Sequence, residues 1–379
     1  MKIGRILIAP DSFKGSLTST EAASAMALGV RDVLPSATVL LHPVSDGGEG
    51  LIDVLAGPLE AEIRSLEVQG PLPGQRVEAR WAFSPARNLA ILEMAEAAGL
   101  ALVPPGQRDP KRTTTYGVGQ LIRAALDAGP EEILIGIGGS ATNDGGMGMA
   151  MALGVEFRDG EGTPILQGGG ALLSLATVDL KGLDGRIAGT KITVACDVTN
   201  PLTGPEGAAA VFGPQKGASK EDVQLLDRGL ERLATVLKSA SGIDIRRTPG
   251  SGAAGGLGGG LVGFLGGLLR PGIEIVLDLT AFNDHLQGTD LVLTGEGKLD
   301  SQTRFGKALS GVLRRAGYSG IPVIAVVGSI EGGEFVGEEG FAALSTLVSG
   351  DVTLEDALSH ASSLLRQRTA SLVRRYLHS

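Results

Sequence analysis

The sequence predicts an α/β protein, with parallel sheets covered by helices and the chain divided into two domains. Three observations carry this reading. Near the start, apolar runs alternate with helix patterns: a strand at 5–9, a helix at 19–34, a strand at 38–43, then a loop and another helix. Ile133, Leu134, Ile135 and Ile137 form a short apolar run of the kind expected for a strand buried on both faces. The end of the chain repeats the alternation, with strands at 290–294 and 322–327 around a helix pattern at 305–316. At 379 residues the chain exceeds one ordinary core, which makes two domains the natural division.

Local chemistry justifies the elements in turn. Thr18 with Glu21 forms a capping box that starts the first helix. Segments 62–69, 76–83 and 89–93 read as strands joined by short Pro/Gly turns, which suggests an antiparallel or mixed sheet in the middle of the chain. A helix at 113–128 is stopped by Gly129 and Pro130. Strands follow at 133–137 and 192–195, and a helix at 219–241 has Asp222 near its start and Gly242 past its end. Segment 250–269 carries no charge and is about as long as a membrane span, but half of it is glycine and Pro249 and Pro271 flank it. A buried loop and helix fit it better. A strand at 341–347 and a long amphipathic helix at 354–376 close the chain.

Composition narrows the function. The net charge of −9, with no run of Lys and Arg interleaved with aromatics, weighs against nucleic acid as a partner. The lone Cys196 excludes an intramolecular disulfide framework and fits a reducing cytosol. The opening MKIGRILIAPD meets Pro and Asp too soon for a secretory signal. The 59 glycines gather in loops, where backbone approaches a ligand or another element.

Those loops carry the chemistry. The stretch from Gly138 to Gly146 is almost wholly Gly, Ser, Thr, Asn and Asp between a strand and a helix, an arrangement that exposes N–H groups and a helix dipole to an anion. Lys14 beside Ser12, Gly15 and Ser16 suits a phosphate. Asp46 and Glu49, flanked by glycines, suit a shared magnesium shell or a helix cap. Asp197 follows a strand, with Thr199 and Asn200 close by, where a base or metal ligand would sit. Lys298, Arg304 and Lys307 gather positive charge near another strand end. None of the four histidines lies in these loops, which disfavours His-based triads and zinc. Two G-x-G-x-x-G-like matches lack the context of a dinucleotide site, and no P-loop signature is present. The inventory suits phosphoryl transfer, in which positioning and charge neutralisation supply most of the catalysis.

Six motifs in order, PDSFKGSL (10–17), SDGGEG (45–50), GGSATNDGG (138–146), CDVTNPL (196–202), GAAGGLG (252–258) and TGEGKLDSQT (294–303), make the chain resemble the bacterial class I glycerate kinases over essentially its whole length. Ser251 stands where the family pattern suggests Ala, and Leu309 where Pro is common; neither is a charged or loop-forming position. The resemblance implies phosphorylation of D-glycerate by ATP with Mg²⁺ in the cytosol, giving 2-phosphoglycerate or, in some members, the 3-phosphate. It also implies a flavodoxin-like doubly wound domain built from both chain ends, expected at 1–67 and 286–379, and an inserted central α/β domain at 68–285, with the active site in the cleft between them. Within that frame Ser12, Lys14, Gly138, Gly139, Ser140, Thr142 and Asn143 are expected to hold ATP, and Asp46 and Glu49 to hold Mg²⁺. Asp197 is the expected base with Asp300 as its runner-up, and Lys298, Arg304, Asn200 and Gln302 are expected to bind glycerate. The protein is expected to be a monomer or homodimer with no nucleic-acid or membrane partner. A kinase for another small hydroxy or sugar acid, or a non-catalytic nucleotide-binding regulator, would share the same loops.

Overall fold

The computed structural model describes residues 3–300, 308–331, 340–350 and 352–378. The chain divides into a terminal unit (1–46, 53–55 and 272–379) and a central unit (47–52 and 56–271). In chain order its strands are β1 (Arg5–Ile8), β2 (Thr38–Leu41), β3 (Glu62–Gln69), β4 (Arg76–Ser84), β5 (Leu89–Glu93), β6 (Glu132–Gly136), β7 (Glu156–Arg158), β8 (Thr177–Asp179), β9 (Lys191–Ala195), β10 (Leu268–Arg270), β11 (Leu291–Thr294), β12 (Lys298–Asp300), β13 (Val323–Val327), β14 (Ser329–Glu331) and β15 (Ala343–Thr346).

The terminal sheet is wholly parallel in the order β15-β13-β11-β1-β2. Read from β2, this is the flavodoxin-like doubly wound order. Alternate residues explain its two covered faces. Ile6, Ile8, Leu291, Leu293, Ile324 and Val326 share a core with helices Ser19–Arg31 and Ala361–Leu377. Leu7, Val292 and Ala325, between them and equally buried, belong to the other face. There the Gly272–Leu279 and Ala308–Tyr318 helices pack together, the latter also against β11 and β13. Burial on both sides is why these strands are continuous apolar runs. Thr18 and Glu21 form the expected capping box.

The central sheet is mixed, in the order β10-β9-β6-β5-β4-β3. β3, β4 and β5 are antiparallel neighbours, while β5, β6, β9 and β10 run parallel. Its register sets Glu93, Gly136, Ala195 and Arg270 in one row across four parallel strands. The loops that follow them therefore share one sheet edge. Helix Lys220–Ser241 has a Ser219–Asp222 capping box and ends at left-handed Gly242.

Two elements differ from the sequence reading, and a third, the uncharged segment, follows it. The helix expected at 113–128 spans Tyr116–Asp127, because Thr113 and Thr115 turn their hydroxyls onto the loop after β6. The helix expected at 354–376 is two, Leu354–Ser359 and Ala361–Leu377, separated at His360 (φ −119°, ψ 24°). The uncharged 250–269 segment is a turn, helix Leu257–Leu265 and β10, and among the described residues no helix is long and apolar enough to cross a membrane.

Buried His42 follows β2 in the terminal unit. Its Nε2 lies 2.8 Å from Thr280 Oγ1, whose hydroxyl donates to the Val276 carbonyl, so Nε2–H is the donor to Thr280. Burial, then the neighbouring His285, lowers the His42 pKa to about 4. The unfolded chain thus binds more protons between pH 4 and 6.5, and stability is lost as pH falls through that window. Urea unfolding of His42→Gln should show a loss between pH 7 and 5 smaller than that of the parent by roughly 2 kcal/mol. Equal losses in both proteins would remove His42 as the cause.

Candidate active site

In the terminal unit, a cavity of about 570 Å³ opens where the strand order reverses between β1 and β11. Open α/β sheets bind ligands at such a switch point. Its walls come from segments at the carboxyl ends of all five parallel strands: 11–16 after β1, Asp46 after β2, 296–298 after β11, Gly328 and Ser329 after β13, Leu347 and Val348 after β15. Backbone bonds fix them to one another. Asp11 N–H donates to the Gly295 carbonyl (2.8 Å), Gly297 N–H to Ser12 (3.3 Å) and Gly328 N–H to Glu296 (2.9 Å). A Cβ on Gly328 would lie 2.1 Å from the Gly297 oxygen, so these loops touch through backbone alone.

The cavity lining is both polar and apolar. Lys14, Lys298, Asp11, Asp46 and Glu296 supply its charged groups; Leu347, Val348, Leu354, Ala357 and Leu358 supply apolar surface. Asp11 is only 6% exposed. Burial, reinforced by the charges of Asp46 and Glu296, holds its carboxyl well above the usual range, against the pull of Ser12 N–H and Lys14. Lys298 is ion-paired with Glu331, β12 lying parallel to β14.

In the central unit, the loop after β6 is pinned along its length. Leu100 N–H donates to the Gly139 carbonyl (2.7 Å), Thr113 Oγ1 to Ala141 (2.9 Å) and Lys216 Nζ to Thr142 (2.7 Å). The segment 47–49 packs on it: a Cβ on Gly138 would sit 2.6 Å from Gly48 Cα, and one on Gly139 2.6 Å from Glu49 Oε1. Asp144 is buried and accepts from Thr115 N–H, Thr115 Oγ1, Gly146 N–H and Gly148 N–H. Burial raises its pKa and these bonds oppose the rise.

The start of the Met147–Ala152 helix is thus filled by the chain's own carboxylate, and it is not the anion site the sequence suggested. What the loop offers to solvent is Gly138, Gly139 and the edge of Ser140. Thr142 and Asn143 are fully buried, and Thr142 Oγ1 and both polar atoms of Asn143 have no hydrogen-bond partner among the described residues.

The other expected residues are distributed as follows. Ser12, Lys14, Asp46 and Lys298 line the terminal-unit cavity. Glu49 belongs to the central unit, against Gly139. Half-buried Asp197 follows β9, beside β6 on the same sheet edge as Gly138. Asn200 Nδ2 donates to the Glu206 carbonyl (2.8 Å), which closes its own loop. Cys196 is no thiolate, since burial pushes its pKa up to about 11. Asp300 ends β12 but its side chain lies outside the described residues, as do Gln302 and Arg304.

Sequence reasoning passed over four groups. Asp11 and Glu296 sit inside motifs it had singled out, and were overshadowed by their lysine neighbours. Glu93 is buried and accepts from Gly50 N–H (3.0 Å) and Ile52 N–H (2.7 Å), ordering the segment that packs on the glycine loop. Lys216, in GPQKG, gave no signal beyond its small neighbours.

A switch-point cavity lined by lysines and carboxylates has the make-up of an active site in a doubly wound α/β enzyme. The model of the glycerate kinase family matches residues 6–377, and the chain belongs to that family. It is 47% identical over 368 residues to the glycerate kinase of Halalkalibacterium halodurans, covering 97% of each chain. It is 45% identical over 358 residues to the glycerate 2-kinase of Escherichia coli K12, covering 94% of each. A crystal structure assigned as glycerate kinase 2 from Salmonella typhimurium LT2 matches all of this chain and 99% of that one, with a TM-score of 0.84 and 47% identity.

The Asp11 environment has a measurable consequence. A carboxyl whose pKa is raised on folding destabilises the native state once pH exceeds its unfolded value, because the folded form resists losing the proton. Without nucleotide or metal, Asp11→Asn should melt about 2 °C or more above the parent at pH 7.5, a gain that vanishes near pH 3.5. A lower melting temperature at pH 7.5 would show that the charged Asp11 is favourable there.

Proposed function

We propose that the protein transfers the γ-phosphoryl group of ATP to the 2-hydroxyl of D-glycerate, and that it works in the cytosol as a monomer or homodimer. The observation that carries this reading is the terminal-unit cavity, which combines two lysines, three carboxylates and an apolar wall. Glycerate is small and polar throughout and has no use for Leu354 and Leu358; a nucleotide base does. The 2-position is favoured by the similarity to the glycerate 2-kinase of E. coli.

In this reading Lys14 and Ser12 hold nucleotide phosphates, as do the exposed backbone of Gly138 and Gly139 and the edge of Ser140. Lys298 holds the glycerate carboxylate, with Arg304, Asn200 and Gln302 as further candidates. Asp197 takes the hydroxyl proton as the glycerate oxygen bonds to the γ-phosphorus and the bond to the β,γ-bridging oxygen breaks, releasing ADP. Asp300 is the second candidate for this base.

Mg²⁺ fits the carboxylates present. The charges of Asp46 and Glu296 oppose ionisation of buried Asp11, and a divalent cation would relieve that repulsion. Among the described residues no three His, Cys, Asp or Glu side chains enclose a cation by themselves. Nucleotide-bound Mg²⁺ needs only one or two carboxylates, the rest being phosphate oxygens and water. Asp46 and Asp11 would hold it, where it supplies charge neutralisation for the phosphates; Glu49 is a further candidate.

NMR of the product from D-glycerate and Mg·ATP tests the reading, with 2-phosphoglycerate expected. The 3-phosphate would overturn the regiochemistry, and ATP binding without turnover would favour a regulator. Turnover with another hydroxy acid in preference to D-glycerate would favour a different small-acid kinase. Replacing Asp197 with Asn should lower kcat by about two orders of magnitude or more at nearly constant KM. Near-normal kcat in that variant would move the role to Asp300.

A further inference from the structure

Lys216 ends a short 3₁₀ turn, Pro214–Lys216, and is 1% exposed. Its Nζ donates to Ser140 Oγ and to the Thr142 carbonyl, each at 2.7 Å. Both partners are neutral, and no carboxylate among the described residues forms an ion pair with it. An ammonium buried without a counter-ion is strongly unfavourable and persists only where something else requires it. The charge lies just beneath the part of the glycine loop that reaches solvent: half-exposed Gly138, exposed Gly139 and the edge of Ser140.

We propose that Lys216 is the built-in counter-charge of an anion subsite on Gly138–Ser140, acting through Ser140 on a nucleotide phosphate, and that filling the subsite loads a proton onto Lys216. Lys216 is a positioning residue here, since Ser140 and the loop backbone make the contact. The phosphate being that of a nucleotide rests on the function proposed above; the subsite itself does not.

Charge around the lysine sets the sign of the effect. Asp144 favours the ammonium from within the loop, Glu49 lies against Gly139, and the Arg108 backbone abuts Gly217. Burial outweighs Asp144 and lowers the Lys216 pKa to about 7. Above pH 7 the empty protein therefore carries much of this lysine neutral, and an anion bound above it favours the charged form. Protons are taken up on binding at pH 8, and fewer at pH 6, where the lysine is already charged.

The test is calorimetry at pH 8 in buffers of different ionisation enthalpy, with Mg·ADP and separately with inorganic phosphate. The parent should take up about 0.5–1 proton per Mg·ADP bound. Lys216→Met should lose that uptake and bind about tenfold more weakly. Lys216→Arg, which stays charged, should retain binding without proton uptake and guards against a merely misfolded Met variant. Uptake that persists in Lys216→Met, or unchanged affinity there, overturns the proposal and leaves the kinase reading intact. Lys216-dependent uptake with phosphate but no nucleotide binding sustains the subsite and sinks the nucleotide reading. A parent that binds neither anion overturns the subsite.

Discussion

The structure depends on one constraint, the contact of strand-end loops through bare backbone. In the terminal unit, the loop after β11 is wedged between those after β1 and β13, so that a side chain at Gly328 would overlap the Gly297 carbonyl. In the central unit the segment 47–49 lies on Gly138 and Gly139 with no room for a Cβ on either. Each contact draws charged neighbours close: Lys14 and Glu296 in one case, Glu49 in the other. Glycine at such points costs conformational entropy on folding. That cost is accepted where polar groups must converge, and it accounts for glycine being spent at strand ends rather than within strands.

Charge is handled differently in the two units. The terminal cavity brings carboxylates together and leaves Asp11 reluctant to ionise. The central loop keeps a carboxylate and an ammonium buried in the same neighbourhood without pairing them: Asp144 is surrounded by N–H and hydroxyl donors, and Lys216 by a hydroxyl and a carbonyl. A direct pair would quench both charges. Held apart, Asp144 orders the loop while Lys216 keeps a protonation state that can answer to a ligand.

Much of the architecture was legible because burial on both faces leaves a plain record in sequence. Residues 6–8, 291–293 and 323–327 are apolar without interruption, as strands inside a doubly covered sheet require. Loop positions were legible too, since glycine and small polar residues cluster where strands end. Long helices were harder to bound. The break at His360 leaves no Gly or Pro to announce it, and Thr113–Thr115 fit a helix start until their hydroxyls are seen to serve another loop.

The loop after β6 shows where such reading fails. Asn, Asp and Gly ahead of a helix describe equally well a cradle for a foreign anion and a cap that fills the helix end from within. Geometry alone separates them: Asp144 occupies the end of the helix, and the accessible remainder shrinks to Gly138–Ser140. A loop capped in this way has lost its dipole as a source of positive charge. For such a loop to hold an anion, a side chain distant in sequence can supply the charge that the capped helix does not. Lys216 is 76 positions from Ser140 and invisible to any local pattern, yet it is the ammonium found beneath that remnant. In the proposed subsite, the same step that removes the helix dipole leaves Lys216 as the source of positive charge beneath the exposed remnant.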